Sequence, residues 1–283
     1  MRQPLSLPAV EAPDRAKLLC SLDGAVMPVG DASVSIMDDG LIRGDGGFEM
    51  LKLYEGRPFA LTDHLDRLER TTEGIFLEWD RATFEAEIAA LLAANDEGDA
   101  ELRLVLTRGG RRLAIIEPPH EFAHGLALST VKYQPTIVLT GLKTLSYAGN
   151  MTASRIAKND GADEALLVAP DGTVMEAPTS TIFWADRDGN LHTPKLEAGI
   201  LASITRERIM QVAPVEESDT YQLRDVLDAA EVFLASSLRE VQGVSSLDGL
   251  TYECPGPVTQ RIAGLLAERI QAELSGALSL EGG

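Results

Sequence analysis

The sequence predicts a mixed fold of the α/β (α+β) class, arranged in two blocks. Short apolar runs bounded by Gly, Asp and Asn indicate strands in both halves, and apolar residues spaced three or four apart indicate helices between them. The stretch over 133–140 lacks clear periodicity, so we place an interdomain linker there. The predicted organisation is an N-terminal extension over 1–16, a small α/β domain over 17–132 and a large domain over 141–283.

The first block is predicted to begin with strands and turns and to continue with two helices. Residues 17–60 contain a run, Phe48 to Tyr54, that alternates apolar and polar side chains as a half-buried strand does. Thr62 or Asp63 is expected to cap the helix that follows. The later elements are a helix over 82–94, a strand over 102–107, a basic loop over 108–112 and a strand over 126–131.

The second block also mixes helices and strands, but in a different order from the first. Ser203 or Thr205 is expected to open one helix, and Pro257 lies where the first turn of a terminal amphipathic helix favours proline. The predicted elements are a helix around 153–157, strands over 165–168 and 181–184, a turn at 188–190, a helix over 204–212, a strand over 232–236 and a helix over 257–274.

Composition limits the possible partners. The 283 residues include 44 acidic and 25 basic side chains, and the formal net charge of −19 opposes binding to nucleic acid or anionic membranes. The two cysteines, Cys20 and Cys254, cannot form a disulfide framework and offer no metal-ligand spacing. Prolines near the N-terminus oppose a secretory signal, and no apolar run approaches the roughly 20 residues of a membrane span. We expect a cytoplasmic protein without a metal, nucleic-acid or membrane partner.

Two side chains give the clearest chemical signal. Lys143 stands among small and apolar residues, where desolvation lowers the pKa of an amine and keeps it nucleophilic. Such a lysine can hold an aldehyde cofactor as a Schiff base, whereas most lysines are solvated surface groups. Glu176 follows an Asp-Gly turn, and a carboxylate there either faces solvent or keeps a pyridine nitrogen protonated. Those two tasks are the minimum for pyridoxal 5′-phosphate (PLP) chemistry.

The spacing of these residues resembles that of the class IV (fold type IV) aminotransferases, the family of branched-chain aminotransferase, D-amino acid aminotransferase and aminodeoxychorismate lyase. Lys143, the strand start at 161–165 and Glu176 follow one another in the family's order and register. The resemblance implies a two-domain enzyme with PLP between its domains, joined to Lys143. It places Glu176 at the pyridine nitrogen and Tyr147 at the cofactor's phenolic oxygen, and it implies a homodimer.

The same resemblance implies a phosphate cradle. The segment 64–68 resembles the family's His-x-x-Arg-Leu motif, whose arginine, Arg67 here, binds the cofactor phosphate. The alternative is a solvated helix arginine paired with Asp63 or Glu69. The start of the helix predicted over 204–212 resembles the family's Gly-Ile-Thr-Arg element, with serine in place of glycine, and its free N–H groups would favour an anion. The residues assigned to the cradle are Arg67, Ser203, Ile204, Thr205, Ser236 and Ser237.

The substrate end is implied by further matches. The run 44–49 resembles the family's Gly-Asp-Gly-Val-Phe-Glu block, so Phe48 would pack on the substrate side chain. Glu49 favours transamination, because some lyase members carry threonine at that place. The loop over 108–112 would bring positive charge to a substrate carboxylate, or is a solvated basic loop. The candidate substrate-binding residues are Phe48, Arg108, Arg111, Arg112, Leu238 and Arg239.

The predicted function is that of a PLP-dependent transaminase, which moves an amino group between an amino acid or primary amine and a 2-oxo acid. Among the family's activities, the resemblance favours one like that of the branched-chain aminotransferases. Two other activities stay open: aminodeoxychorismate lyase, which eliminates pyruvate, and D-amino acid or (R)-amine transaminase. A PLP-binding homologue without catalysis is the non-enzymatic alternative, and the joint presence of Lys143, Glu176 and Arg67 disfavours it.

Overall fold

The computed structural model describes residues 18–95 and 98–276, so the predicted extension over 1–16 lies outside the described residues. Two β-sheets with helices packed on them form the described part. The six strands of the first sheet are all antiparallel, in the order β2-β1-β6-β5-β3-β4. They are β1 (Leu19–Leu22), β2 (Ala25–Pro28), β3 (Gly46–Tyr54), β4 (Arg57–Pro58), β5 (Ala100–Thr107) and β6 (Arg112–Glu117).

Helices cover one face of this sheet: α2 (Leu61–Gly74) and α3 (Arg81–Ala93), with the short α1 (Asp39–Arg43) ahead of β3. Because side chains alternate along a strand, Leu51 and Leu53 of β3 face the helices and join a core with Leu68 and Phe84. Phe48 therefore lies on the opposite face of β3. That opposite face borders the cavity described below.

The second sheet is mixed, with the strand order β11-β10-β9-β12-β13-β7-β8 and β14 paired to β13. Its strands are β7 (Leu126–Lys132), β8 (Glu164–Val168), β9 (Thr181–Ala185), β10 (Leu191–Pro194), β11 (Glu216–Ser218), β12 (Glu231–Ser236), β13 (Glu240–Leu247) and β14 (Leu250–Thr251). Its helices are α4 (Ala148–Asn159), α5 (Ile204–Val212), α6 (Leu223–Leu227) and α7 (Pro257–Leu274). Within the described residues, no helix has both the length and the apolar character that a membrane crossing requires.

The division between the sheets differs from the predicted boundary. Strand β7 was assigned to the small domain over 17–132, but it pairs in parallel with β8 and β13 of the second sheet. The chain therefore leaves the first sheet over 118–125, ahead of the stretch at 133–140. Periodicity locates a strand but not its partner, because pairing depends on residues distant in the sequence.

The starts of the helices test the predicted caps. Helix α2 begins at Leu61 and has Ala60 as its N-cap, with φ of 53° and no side-chain cap, so the prediction of Thr62 or Asp63 is wrong. Helix α5 is capped by Ser203, whose side chain accepts a hydrogen bond from the Arg206 N–H at 3.2 Å. Helix α7 begins at Pro257 as predicted.

Candidate active site

A cavity of about 720 Å³ is lined by residues of both sheets. Strands β3 and β5 provide one wall, and the ends of β8 and β12 provide another. Ten of the predicted site residues line it: Phe48, Arg67, Lys143, Tyr147, Glu176, Ser203, Ser236, Ser237, Leu238 and Arg239.

The backbone fixes Lys143 against the edge of the first sheet. Its carbonyl accepts the Phe48 N–H at 3.0 Å, and its own N–H donates to the Thr71 hydroxyl at 3.1 Å. A β-bridge between Gly47 and Thr144 continues this contact. The Lys143 Nζ lies 4.3 Å from the centre of the Phe48 ring and 5.5 Å from that of Tyr147. Desolvation, reinforced by the Arg67 charge, lowers the pKa of the Lys143 amine to about 8.

Glu176 faces the same cavity with few partners. Its carboxylate oxygens accept one backbone N–H, that of Leu201, at 3.3 Å each. Desolvation raises the pKa of Glu176 to about 8, although the Leu201 N–H and the Lys143 charge act in the opposite direction. A carboxylate so poorly compensated would be stabilised by a cationic N–H brought into the cavity.

Tyr147 links the walls of the cavity near Lys143. Its ring meets that of Phe48 edge to face, with centroids 5.2 Å apart and an interplanar angle of 84°. Its hydroxyl donates to the carbonyl of Pro178. Burial and the nearby Glu176 charge raise the pKa of the Tyr147 phenol, so the hydroxyl stays protonated. It is placed to donate hydrogen bonds rather than to accept a proton.

Arg67 is almost completely buried and is held by Glu49. The Nε and Nη2 groups of Arg67 donate to the two oxygens of Glu49 at 2.7 and 2.6 Å, and Nη1 donates to the Ala202 carbonyl at 3.0 Å. The alternative of a solvated arginine paired with Asp63 or Glu69 is therefore wrong. Glu49 belongs to the helix-facing side of β3, so its carboxylate holds Arg67 and is not among the residues that line the cavity.

The start of α5 lies beside Arg67. Ser203 lines the cavity, whereas Ile204 and Thr205 are buried and are not among the residues that line it. The first N–H groups of a helix have no acceptor within it, and the helix dipole adds positive potential there. The Ser237 Oγ completes this end of the cavity, 3.3 Å from the His64 Nε2.

Arg239 lines the cavity and has two side-chain hydrogen-bond partners. Its guanidinium donates to Glu164 at 3.2 Å and to Gln242 at 2.6 Å, and it lies 4.9 Å from the centre of the Phe122 ring. Burial lowers the pKa of Arg239, and the Glu164 charge offsets this only in part. The preceding residue, Leu238, also lines the cavity.

The structure does not bring the three loop arginines to the cavity of this chain. Arg108 pairs with Asp45 at 2.7 Å and donates to backbone carbonyls. The other two guanidiniums are held by acidic partners, in the pairs Arg111–Asp23 and Arg112–Glu87. Strand β6, which begins at Arg112, shortens the predicted loop and turns these side chains toward acids on neighbouring elements.

Several cavity residues were missed by the sequence analysis. Arg103 and Val105 of β5 are paired with Met50 and Phe48 of β3, and all four line the cavity. The sequence pattern of β5 could have revealed two of them, because Arg103 and Val105 alternate with the buried leucines of the same strand and therefore face its other side. His120, Phe122 and Tyr133 also line the cavity, from segments with no periodic pattern, and so does Glu164, the first residue of β8.

Comparison with known proteins identifies the family. A model of the amino-transferase class IV family matches residues 46–247, a span that includes every candidate site residue. The chain is 29% identical to aminodeoxychorismate lyase of Bacillus subtilis (strain 168), over 82% of this chain and 87% of that protein. It is 28% identical to D-alanine aminotransferase of Bacillus licheniformis, over 89% of this chain and 96% of that protein.

A solved structure agrees with these matches. The branched-chain aminotransferase of the thermophilic archaeon Thermoproteus uzoniensis, determined with norvaline, superposes with a TM-score of 0.83 at 26% identity, over 90% of this chain and 95% of that one. The chain belongs to the class IV aminotransferase family, whose members are PLP-dependent. The predicted family and the fold type IV fold are confirmed. The three relatives carry three different names, so the match does not select among their activities.

The residues present fit PLP. Glu176 presents a carboxylate with room for a ring N–H, and Lys143 presents an amine of lowered pKa. Of the five guanidinium N–H groups of an arginine, Arg67 uses three on Glu49 and Ala202, which leaves two for a phosphate.

Proposed function

We propose that this protein is a PLP-dependent transaminase that exchanges an amino group between an amino acid and a 2-oxo acid, with branched-chain amino acids as the preferred class. One observation carries the proposal: Lys143 and Glu176 line a single cavity whose other end holds Arg67 and the start of α5. These groups match the aldehyde, ring nitrogen and phosphate of one PLP molecule. When bound, PLP would supply the electron sink that transamination requires.

In this proposal the chain's own residues hold the cofactor and move protons. Lys143 would bind the cofactor through its amine and, once displaced by the substrate amine, would carry the proton between the substrate carbon and the cofactor. Its pKa of about 8 is suited to this task, because a general base works best when its pKa lies near the operating pH. Glu176 would keep the ring nitrogen protonated, and the Tyr147 hydroxyl would turn from the Pro178 carbonyl to donate to the phenolic oxygen.

The apolar wall of the cavity supports a substrate with an aliphatic side chain. Phe48, Met50 and Val105 line this wall from neighbouring strands. Arg239 would bind a substrate carboxylate, because its guanidinium lines the same cavity, 3.2 Å from its ion-pair partner Glu164.

The second candidate is aminodeoxychorismate lyase, which would use the same lysine to eliminate pyruvate. The relative of that name in Bacillus subtilis favours it. Incubation with an amino acid alone separates the two, because a transaminase accumulates the pyridoxamine form of the cofactor and a lyase does not. A donor panel of L-leucine, D-alanine, L-glutamate and an (R)-arylamine then tests the D-amino acid and (R)-amine alternatives.

A cytoplasmic homodimer is part of the proposal. Apolar side chains stand exposed around a second, smaller depression beside α1, among them Phe76 and Val138 at 89% and 78% exposure. A second copy of the chain would cover them and could complete the site from the partner side. The molar mass in solution tests this: twice the chain mass supports it, and a monomer that retains activity contradicts it.

The proposed chemistry is tested by borohydride reduction of the purified protein followed by peptide mapping. We expect a pyridoxyl group on Lys143 and on no other lysine. Retention of the label in Lys143→Ala, or its absence from the native chain, would refute the proposal. Lys195→Ala, which removes an exposed lysine, is the matched control and should be labelled like the native chain.

A further inference from the structure

The phosphate end of the cavity contains a line of three polar side chains whose combined action is not part of the proposed function. The Glu49 Oε2 lies 2.8 Å from the His64 Nδ1, and the Nε2 of the same imidazole lies 3.3 Å from the Ser237 Oγ. Glu49 and His64 are both 0% exposed, whereas Ser237 lines the cavity. The line thus runs from a buried carboxylate, through a buried imidazole, to a hydroxyl at the cavity surface.

Which of these three side chains donate hydrogen bonds, and which accept them, depends on whether His64 is neutral or protonated. The Arg67 charge, with hydrogen bonds from Arg67 and His64, overcomes the effect of burial and holds the pKa of Glu49 well below its usual range. Glu49 therefore only accepts, and the His64 Nδ1 must donate to it. In a neutral His64 the Nε2 is an acceptor, so the Ser237 hydroxyl donates inward and presents only lone pairs to the cavity. In an imidazolium the Nε2 donates, and the Ser237 proton is free to point into the cavity.

The charges around His64 show what would favour each form. Burial lowers the pKa of His64, and Arg67 and Lys143 act in the same direction, while Glu49 acts against them. Glu49 already balances Arg67, which leaves this pair with no net charge to offer a phosphate dianion. An anion held by Arg67 and Ser237 would stabilise a positive charge on His64 and would be repelled by the outward lone pairs of Ser237.

We propose that His64 is a positioning residue that couples phosphate binding to the uptake of one proton from water. The inference rests on the proposed function only in taking the phosphate of PLP as the anion. The proton adds to Nε2, which then donates to Ser237 while Nδ1 continues to donate to Glu49. The Ser237 hydroxyl turns and donates to a phosphate oxygen. No covalent bond of the phosphate changes.

Histidine-selective ¹⁵N NMR of the holoenzyme tests the charge directly. The chain has four histidines, and His64→Gln identifies the resonances of His64 by their loss. We expect both ring nitrogens of His64 to be protonated at a pH of about 8, well above the ordinary pKa of roughly 6.5. A neutral ring with an unprotonated Nε2 in the holoenzyme would overturn the inference. If borohydride also labels Lys143 in that sample, the proposed function stands and only the role of His64 fails.

Binding measurements provide a second test that does not depend on turnover. We expect the PLP dissociation constant of the native chain to rise between pH 7 and 9 more steeply than that of His64→Gln, by up to about tenfold per pH unit. Lys143 and Glu176 titrate in the same range but are present in both proteins, so the difference in slope isolates His64. The matched control is His192→Gln, because His192 contacts Tyr221 and Asp186 away from the cavity and should keep the native slope. Equal slopes in all three proteins would overturn the inference.

Discussion

Two carboxylates near the cavity have opposite electrostatic surroundings. Glu49, beside Arg67, is completely buried and accepts hydrogen bonds from Arg67 and His64, so its pKa lies well below the usual range. Glu176, in the cavity wall, accepts one long hydrogen bond from a backbone N–H, and its pKa is raised to about 8. Desolvation acts on both, so the difference comes from their partners. Glu49 is in direct contact with its counter-charge, whereas Lys143 and Arg67 lower the pKa of Glu176 without forming an ion pair with it among the described residues.

The largest expected effect comes from removing the amine on which the proposed chemistry depends. Lys143 interacts with Glu49 and with Glu176. Lys143→Ala should lower the transamination rate by at least about 10⁴-fold, because the general base and the attachment point of the cofactor are both lost. Circular dichroism should match the native chain, since the backbone contacts of this residue with Phe48 and Thr71 are kept. Measurable turnover in a cofactor-loaded variant, or loss of the fold, would contradict the assignment.

The Glu49→Gln substitution tests the carboxylate that is in contact with its counter-charge. It leaves the buried guanidinium of Arg67 without its counter-charge, so we expect the free energy of unfolding to fall by about 3–5 kcal/mol. Urea denaturation of the cofactor-free protein measures this. The control is Asp39→Asn in the exposed ion pair with Arg43, which should cost less than about 1 kcal/mol. Equal losses in the free energy of unfolding would show that the buried Glu49–Arg67 pair contributes no more to stability than the exposed pair.

Glu176→Gln should act on rate rather than on stability. An amide cannot keep the ring nitrogen protonated, so we expect kcat to fall by about 10²-fold, roughly 2.7 kcal/mol. Glu197→Gln, in an exposed turn, is the control and should leave kcat unchanged. A similar loss in the two variants would argue against a special role for Glu176.

The pH dependence of stability should separate the two carboxylates. The folded pKa of Glu176 lies above its ordinary value of 4.5, so the folded state holds a proton that the unfolded state loses. The stability of the cofactor-free protein should therefore decline as the pH rises from about 4.5 to 8, and Glu176→Gln should reduce this decline. The folded pKa of Glu49 is depressed, so its contribution is present above about 4.5 and is lost as the pH falls below that value. Thermal unfolding over pH 3–9 would record both changes in stability. An unchanged decline in stability from about pH 4.5 to 8 in Glu176→Gln would contradict the prediction for Glu176.

The smallest effect is expected at Arg239, whose guanidinium lines the cavity and lies 3.2 Å from its carboxylate partner, Glu164. Arg239→Gln should raise the KM for the amino acid or the oxo acid by about tenfold with little change in kcat, as expected for loss of ground-state binding. Arg108→Gln is the matched control, because Arg108 is paired with Asp45 outside the cavity. The opposite ranking of these two variants would place the carboxylate site on the loop.

The sequence was informative where the candidate residues stand in short local motifs. Lys143, Glu176 and Arg67 could be assigned because each stands in a local pattern, and the structure gathers all three around one cavity. The boundary between the sheets and the partners of the loop arginines could not be assigned in the same way. They depend on strand pairing and on acidic partners far away in the chain, such as Asp23 for Arg111, 88 residues apart.

The position of Lys143 between the two halves has a consequence for the evolution of such a protein. Lys143 follows β7 of the second sheet in the chain, yet its carbonyl is hydrogen-bonded to Phe48 in the first sheet. Neither half alone contains a complete set of reactive groups. Shuffling of gene fragments that separates the halves would thus give two inert pieces, whereas point substitutions along β3 and β5 could retune substrate preference and leave the shared lysine in place. We expect selection to hold the two halves together as one heritable unit.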